Sequence, residues 1–218
     1  MIEICDNGVR NQPSRITHSR AIAKLRDQFR SQHYFRILGL LNSNFVDLVQ
    51  RRIRSARWRF KLHKEVGSTE LCMRDNEVLS LLDLMMNSSR LFQFLNEITD
   101  CGPIGCFPGR VYRCVPGANH HDVWHNDVYG GRVLGLSVNL SERAYTGGIL
   151  EMRYADTKKL LHKIGNTGPG DAIVFRLSPE LQHRVTSVSG REPKTAYAGW
   201  FTKGSTLLTR LRRHRIKN

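Results

Sequence analysis

The chain's hydrophobic patterning predicts an α+β fold, helical at first and then strand-rich, with the strands closing into a jelly roll. Three observations carry this. Before residue 100 the apolar residues recur at three- and four-residue intervals; from Cys101 onward they fall into short alternating runs; and glycine-containing turns separate those runs. Many short strands leave many exposed edges, and closing the sheet protects them. Helices and strands in separate blocks mark an α+β arrangement.

The first helix is read from Ala21, Ile22, Leu25 and Phe29, after a lead-in over 1–16 in which Gly, Asn, Pro and charges follow no period. A short strand is expected over 34–38. Asn44 is placed to cap a second helix, with Phe45, Val46, Val49 and Ile53 on one face and arginines on the other. Two further helices are expected over 77–86 and 90–98, divided by Asn87-Ser88-Ser89, with Met85 and Met86 as core filler. Strands follow over 110–115, 133–140, 149–154, 172–176, 183–188 and 195–201. Turns at Gly130-Gly131, Gly147-Gly148, Gly168-Pro169-Gly170 and Ser189-Gly190 punctuate them.

Composition bounds the rest. A chain of 218 residues forms one substantial domain with its own core. No window reaches the roughly 18 apolar residues of a membrane span, and the N-terminus lacks a secretory apolar segment, so a cytoplasmic location without membrane attachment is expected. The five cysteines are odd in number and show no CxxC spacing, which argues for free thiols over disulfides or a zinc knuckle. A net charge of +15 invites an acidic partner. Part of that charge sits in a C-terminal tail holding Lys203, Arg210, Arg212, Arg213, Arg215 and Lys217 without an acid. Nothing in the pattern specifies an oligomeric state.

The chemistry is concentrated in His125-Asn126-Asp127 and a distant His183. Two imidazoles and a carboxylate occupy one face of an octahedral iron(II) ion and leave the others open. On a strand, residues i and i+2 share a side, so His125 and Asp127 can grip one ion while Asn126 points away. His120-His121-Asp122 repeats the same spacing. The later triplet is preferred because Val123 and Trp124 set it beside strand-like residues, whereas Gly117-Ala118-Asn119 marks the earlier one as loop.

Five blocks then appear in order: GRVYRCVPGANHHDVWHND, LGLSVNL, GGILEM, NTGPGDAIVF and HRVTSVSGREPKTAYAGWF. Over roughly residues 108–203 the chain resembles the prolyl-4-hydroxylase-like branch of the iron(II)/2-oxoglutarate-dependent dioxygenases. The resemblance implies a double-stranded β-helix core over 101–203 with helices packed outside it; residues 1–100 are then an N-terminal helical extension with first strands, and the basic tail read from its charge takes 204–218. It assigns His125, Asp127 and His183 to iron(II). It also expects a cation near the start of the last core strand to hold the distal carboxylate of 2-oxoglutarate. Lys194, six residues before Trp200, is the leading candidate and Arg191 the competitor. Tyr112 and Ser137 are candidates for an assisting hydroxyl, each readable as an ordinary strand side chain.

The implied reaction is hydroxylation of an unactivated C–H bond by O2 and 2-oxoglutarate, with succinate and CO2 as coproducts and ascorbate as an accessory reductant. The expected substrate is a peptide or protein side chain, prolyl or acidic; a free amino acid or small metabolite is the alternative. Nucleic acid is disfavoured, because KTAYAGWF lacks the second arginine expected for that branch. From a different class, a non-catalytic jelly-roll binding module is the competing reading.

Overall fold

The computed structural model describes residues 15–63, 68–74, 77–118 and 120–204, together with 3–5, 8–10, 206, 207 and 209. Most of the expected basic tail, 210–218, lies outside the described residues.

In chain order the elements are β1 (Glu3–Cys5), β2 (Gly8–Arg10), α1 (Arg15–Gln32), β3 (Tyr34–Ile37), α2 (Ser43–Arg54), β4 (Trp58–His63), β5 (Ser68–Met73), α3 (Glu77–Met86) and α4 (Ser89–Thr99). Then follow β6 (Gly109–Cys114), β7 (Arg132–Asn139), β8 (Thr146–Gly147), β9 (Leu150–Tyr154), β10 (Leu160–Ile164), β11 (Ala172–Arg176), β12 (Leu181–Val185), β13 (Val188–Ser189) and β14 (Lys194–Thr202). None of the described helices is long and apolar enough to cross a membrane.

A seven-stranded sheet, ordered β3-β11-β7-β14-β6-β5-β4, faces a three-stranded sheet, β10-β9-β12, and every described pairing is antiparallel. The first hundred residues supply β3, β4 and β5 to the large sheet. The strands at 58–63, 68–73 and 160–164 had no counterpart in the sequence reading; β4 alternates cations with apolar residues that stay exposed, which masks its period.

Side-chain alternation divides the large sheet into two faces. Val174 and Ala172 of β11, Tyr197 and Phe201 of β14 and Val111 of β6 join Ile22, Leu25, Phe29, Leu82, Leu95 and Ile98 of the helices in one apolar cluster. The opposite face turns Ile173 and Phe175 toward Leu150, Met152 and Leu181 of the small sheet in a second cluster. The same period of two aims Arg110, Tyr112 and Cys114 of β6, Ser137 of β7, and Lys194, Ala196 and Trp200 of β14 into the space between the sheets.

Two local expectations are corrected. Asn42, not Asn44, caps α2: its backbone is extended and its side-chain oxygen accepts from the Phe45 amide at 2.9 Å. Met86 is buried but Met85 is 36% exposed, since adjacent helical positions point about 100° apart. Ser88 caps α4 by accepting from Leu91 N, and Asp100 closes it in the left-handed region at φ 50°.

Candidate metal centre

His183 sits on β12, whose register with β9 pairs it with Met152. The segment carrying His125 is laid beside it by a single two-way bridge: His183 N donates to His125 O at 2.8 Å and His125 N to His183 O at 3.1 Å. Trp124 secures the segment from outside, with the guanidinium groups of Arg153 and Arg184 4.2 and 4.6 Å from its ring centroid. The residues around His125 do not form a strand. Asp127 has φ 55°, in the left-handed region that Asp tolerates better than most side chains, and the turn is closed by Tyr129 N donating to Asp127 O at 2.8 Å. The carboxylate therefore meets His125 through a turn rather than through the strand alternation expected from the spacing.

The structure brings His125, Asp127 and His183 together, with one candidate ligand atom from each lying within 4.8 Å of the others. Asp127 Oδ2 is 3.4 Å from His125 Nε2 and 3.5 Å from His183 Nε2. His125 Nδ1 is 2.7 Å from the Val123 carbonyl, to which it donates, and this tautomer leaves the Nε2 lone pair for a metal. Burial pulls the pKa of both imidazoles down. At His125 the hydrogen bond with Asp127 and the charge of Asp122 outweigh it and raise the value; at His183 burial wins and lowers it. Burial also opposes ionisation of Asp127, yet its hydrogen bonds with the two histidines hold the carboxyl far below the usual range.

Both carboxylate oxygens of Asp127 are further held. Trp200 Nε1 donates to Oδ2 at 2.6 Å and Arg132 Nη1 to Oδ1 at 3.1 Å. The Arg132 guanidinium lies 3.7 Å from the centre of the same indole. Neither contact was legible in the sequence, where Trp200 served only as a landmark. The competing triplet has other duties: buried His120 accepts from Val115 N at 2.9 Å, while Asp122 accepts from Ser68 Oγ and, at 3.0 Å, from Val185 N.

These candidate ligands border a cavity of about 620 Å³ between the sheets. Lys194, Tyr112 and Ser137 all line it, and exposed Arg191 does not. Lys194 is buried, and among the described residues the one hydrogen bond of its ammonium runs to the Gly148 carbonyl at 2.6 Å. Gly148 is required there: its φ is +61°, and a Cβ would come within 2.8 Å of Lys194 Cδ. Burial pulls the Lys194 pKa down to about 8. Burial also raises the Tyr112 phenol well above its ordinary value and pushes the nearby Cys114 thiol up to about 12. Tyr145, absent from the sequence reading, places its ring centre 5.9 Å from the Lys194 ammonium.

No protein-family model matches the chain, and no curated protein matches it in sequence. Solved structures do. A Pseudomonas putida prolyl-4-hydroxylase superposes with a TM-score of 0.61 at 19% identity, covering 84% of this chain and 100% of that one. A Trichoplax adhaerens prolyl hydroxylase, bound to a hypoxia-inducible-factor peptide fragment, gives 0.62 at 16% identity over 91% and 96%. The epimerase SnoN, in complex with Fe3+, alpha-ketoglutarate and nogalamycin RO, gives 0.59 at 13% identity, covering 84% of each chain. The fold is that of the 2-oxoglutarate/iron(II) oxygenases.

Within this oxygenase fold the remaining wall of the cavity is a braced cation. Arg110 donates from Nε to Glu70 Oε1 at 2.5 Å and from Nη2 to Oε2 at 3.2 Å, and its guanidinium lies 5.3 Å from the Trp200 ring centre. Burial would raise the Glu70 pKa, but the charge of Arg110 and the hydrogen bond with His63 at 2.8 Å bring it to about 2.

Proposed function

We propose that the protein is an iron(II)/2-oxoglutarate-dependent oxygenase that hydroxylates an unactivated C–H bond on a peptide or protein side chain. One observation carries the reading: a two-histidine, one-carboxylate face shares a cavity with a buried lysine whose ammonium is short of partners. The donor set suits iron(II), three ligand atoms within 4.8 Å can meet on one ion, and the His125 tautomer presents Nε2 to it. Bound there, iron(II) and 2-oxoglutarate supply the O2-dependent oxidation of a C–H bond, with succinate and CO2 as coproducts.

The chain's own residues bind and orient. His125, Asp127 and His183 hold the metal. Lys194 pairs with the distal carboxylate of 2-oxoglutarate, satisfying an ammonium that burial otherwise penalises. Tyr112 and Ser137 are the assisting hydroxyls, and Tyr112 stays protonated and able to donate. Leu150, Ile173, Phe175 and Val185 form an apolar wall that keeps water from the reacting atoms.

A peptide substrate is supported by the peptide bound to the Trichoplax adhaerens structure. The cavity arginines favour an uncharged reacting side chain such as prolyl: Arg110 is matched by Glu70 and Arg132 by Asp127. A small-molecule substrate is the second reading, supported by nogalamycin RO in the SnoN complex.

Anaerobic titration with Fe(II) and 2-oxoglutarate tests the proposal, and a weak visible charge-transfer band is expected. His183→Ala should remove both the band and 2-oxoglutarate consumption. A wild-type protein without the band, or a variant that consumes 2-oxoglutarate unchanged, would overturn the reading in favour of a binding module.

A further inference from the structure

The arginine-rich stretch around α2 and β4 is not explained by the metal site. Residues 51–63 contain Arg51, Arg52, Arg54, Arg57, Arg59 and Lys61 and no acid. Arg51, Arg52 and Arg54 fall in the last turn of α2, where cations complement the helix dipole, and Arg54 is paired with Glu142 at 2.9 Å. Arg57, Arg59 and Arg74 lie beyond the helix and are exposed. Arg52, Arg57 and Arg74 line a second hollow, an open one of about 570 Å³, whose single acid among the described residues is Glu77.

β4 starts at that hollow and occupies the edge of the large sheet. Lysines and arginines on an edge strand commonly guard it against pairing with other chains. This edge, however, also exposes Phe60 (62%) and Leu62 (50%), the apolar residues that such protection avoids. Its far end meets the catalytic cavity. His63 lines that cavity, as do Ser68, Thr69 and Glu70 of the adjacent β5, and the Phe60 ring centre is 6.4 Å from that of His120, another lining residue.

We infer that β4 is a docking edge for an extended acidic peptide, which adds to the sheet as a strand, seats its carboxylates in the Arg52/Arg57/Arg74 hollow and delivers its other end to the cavity. This rests on the oxygenase reading and specifies its substrate class. Main-chain hydrogen bonds to the edge supply affinity, Phe60 and Leu62 contact alternate side chains, and the arginines select for acids. Six residues of strand span roughly 20 Å. The acidic anchor therefore lies about six residues from the residue placed in the cavity. An unstacked polynucleotide fits less well, because the edge offers backbone pairing and, among the described residues of β4, one well-exposed aromatic ring, Phe60, rather than a run of stacking platforms.

The test is fluorescence anisotropy with a labelled peptide of three glutamates followed by an alternating Val-Thr segment, compared with an oligothymidine of equal charge. Wild-type protein should bind the peptide more tightly than the oligonucleotide. Arg57→Glu with Arg74→Glu should weaken peptide binding about tenfold or more, and Phe60→Ser by about threefold. Peptide affinity indifferent to all these changes would show that the cations merely guard the edge, and tighter oligothymidine binding would assign the surface to nucleic acid; either outcome overturns the proposal. The charge-transfer band with Fe(II) and 2-oxoglutarate should be unchanged in these variants. Failure of the oxygenase reading would show instead as a missing band in the wild type, with peptide binding intact.

Discussion

The two ends of the cavity are built differently. At the metal end, Asp127 touches both histidines and also receives an indole N–H and a guanidinium, so each ligand's position is set before any ion arrives. At the other end buried Lys194 has, among the described residues, one carbonyl as hydrogen-bond partner and the Tyr145 ring beside it, and the charges of Cys114 and Asp122 offset only part of the effect of burial. The metal end is organised by polar contacts that offset the burial of charge. The lysine end carries a desolvation cost that, on the proposed function, a carboxylate ligand relieves. Substitutions should therefore behave oppositely at the two ends: polar losses weaken binding at the first, while removal of the cation at the second weakens binding but stabilises the empty protein.

The largest expected effect is at the metal end, where His183→Ala abolishes 2-oxoglutarate consumption, measured as succinate release. At the opposite end, Lys194→Ala should raise the 2-oxoglutarate KM by roughly 10- to 100-fold, the worth of a hydrogen-bonded charge pair, while Arg191→Ala leaves it unchanged. A larger rise for Arg191→Ala would reassign the carboxylate seat. Trp200→Phe keeps the ring between Arg110 and Arg132 but loses the N–H to Asp127. Metal affinity, read by Mn(II) titration, should fall about tenfold, with the Co(II) spectrum altered. Unchanged affinity and spectrum would mean that Asp127 is held adequately by Arg132 alone.

Lys194→Met sharpens the contrast through stability. The folded pKa of Lys194, about 8, lies below its ordinary 10.5, so the folded protein bears the full cost of the buried charge below pH 8. That cost shrinks between pH 8 and 10.5 and is absent above. In the ligand-free protein at pH 7, Lys194→Met should stabilise by up to roughly 3 kcal/mol, with the gain vanishing by the alkaline end of the window. A chemical denaturation series against pH checks it. The smallest effect is outside the cavity: Asn42→Ala should cost about 1 kcal/mol of stability, with kinetics untouched.

The elements legible in the sequence were those that bury at least one continuous apolar face. Ile22, Leu25 and Phe29 on α1 announce their period because one side meets a core and the other does not, whereas β11 reads as a short unbroken apolar run because both its faces are buried. β4 and β10 were missed because neither buries a continuous face; their residues are largely half-buried or exposed. At the site, residue type and spacing made His125, Asp127 and His183 candidates and the family resemblance added Lys194; the structure places all four on one cavity. The spacing argument for the first two used the wrong geometry, since Asp127 enters from a left-handed turn. Trp200, Tyr145 and the Glu70–Arg110 pair carried no local signal, because each acquires its role from a partner distant in the chain; Arg132 lies only five residues from Asp127, but the left-handed turn that brings them together was not foreseen.

The sequence by itself determined which segments alternate, hence which side chains of β6, β7 and β14 fall on the same face. It also determined the chemical character of the candidate ligands, since residue type decides what an atom can coordinate or donate. Only the tertiary structure decided that β12 runs beside the His125 segment, that an indole from β14 reaches the Asp127 carboxylate, and that Lys194 faces the cavity while Arg191 stays outside. Period and residue type are local properties of the chain, whereas register between distant strands is settled by packing the two sheets as a whole.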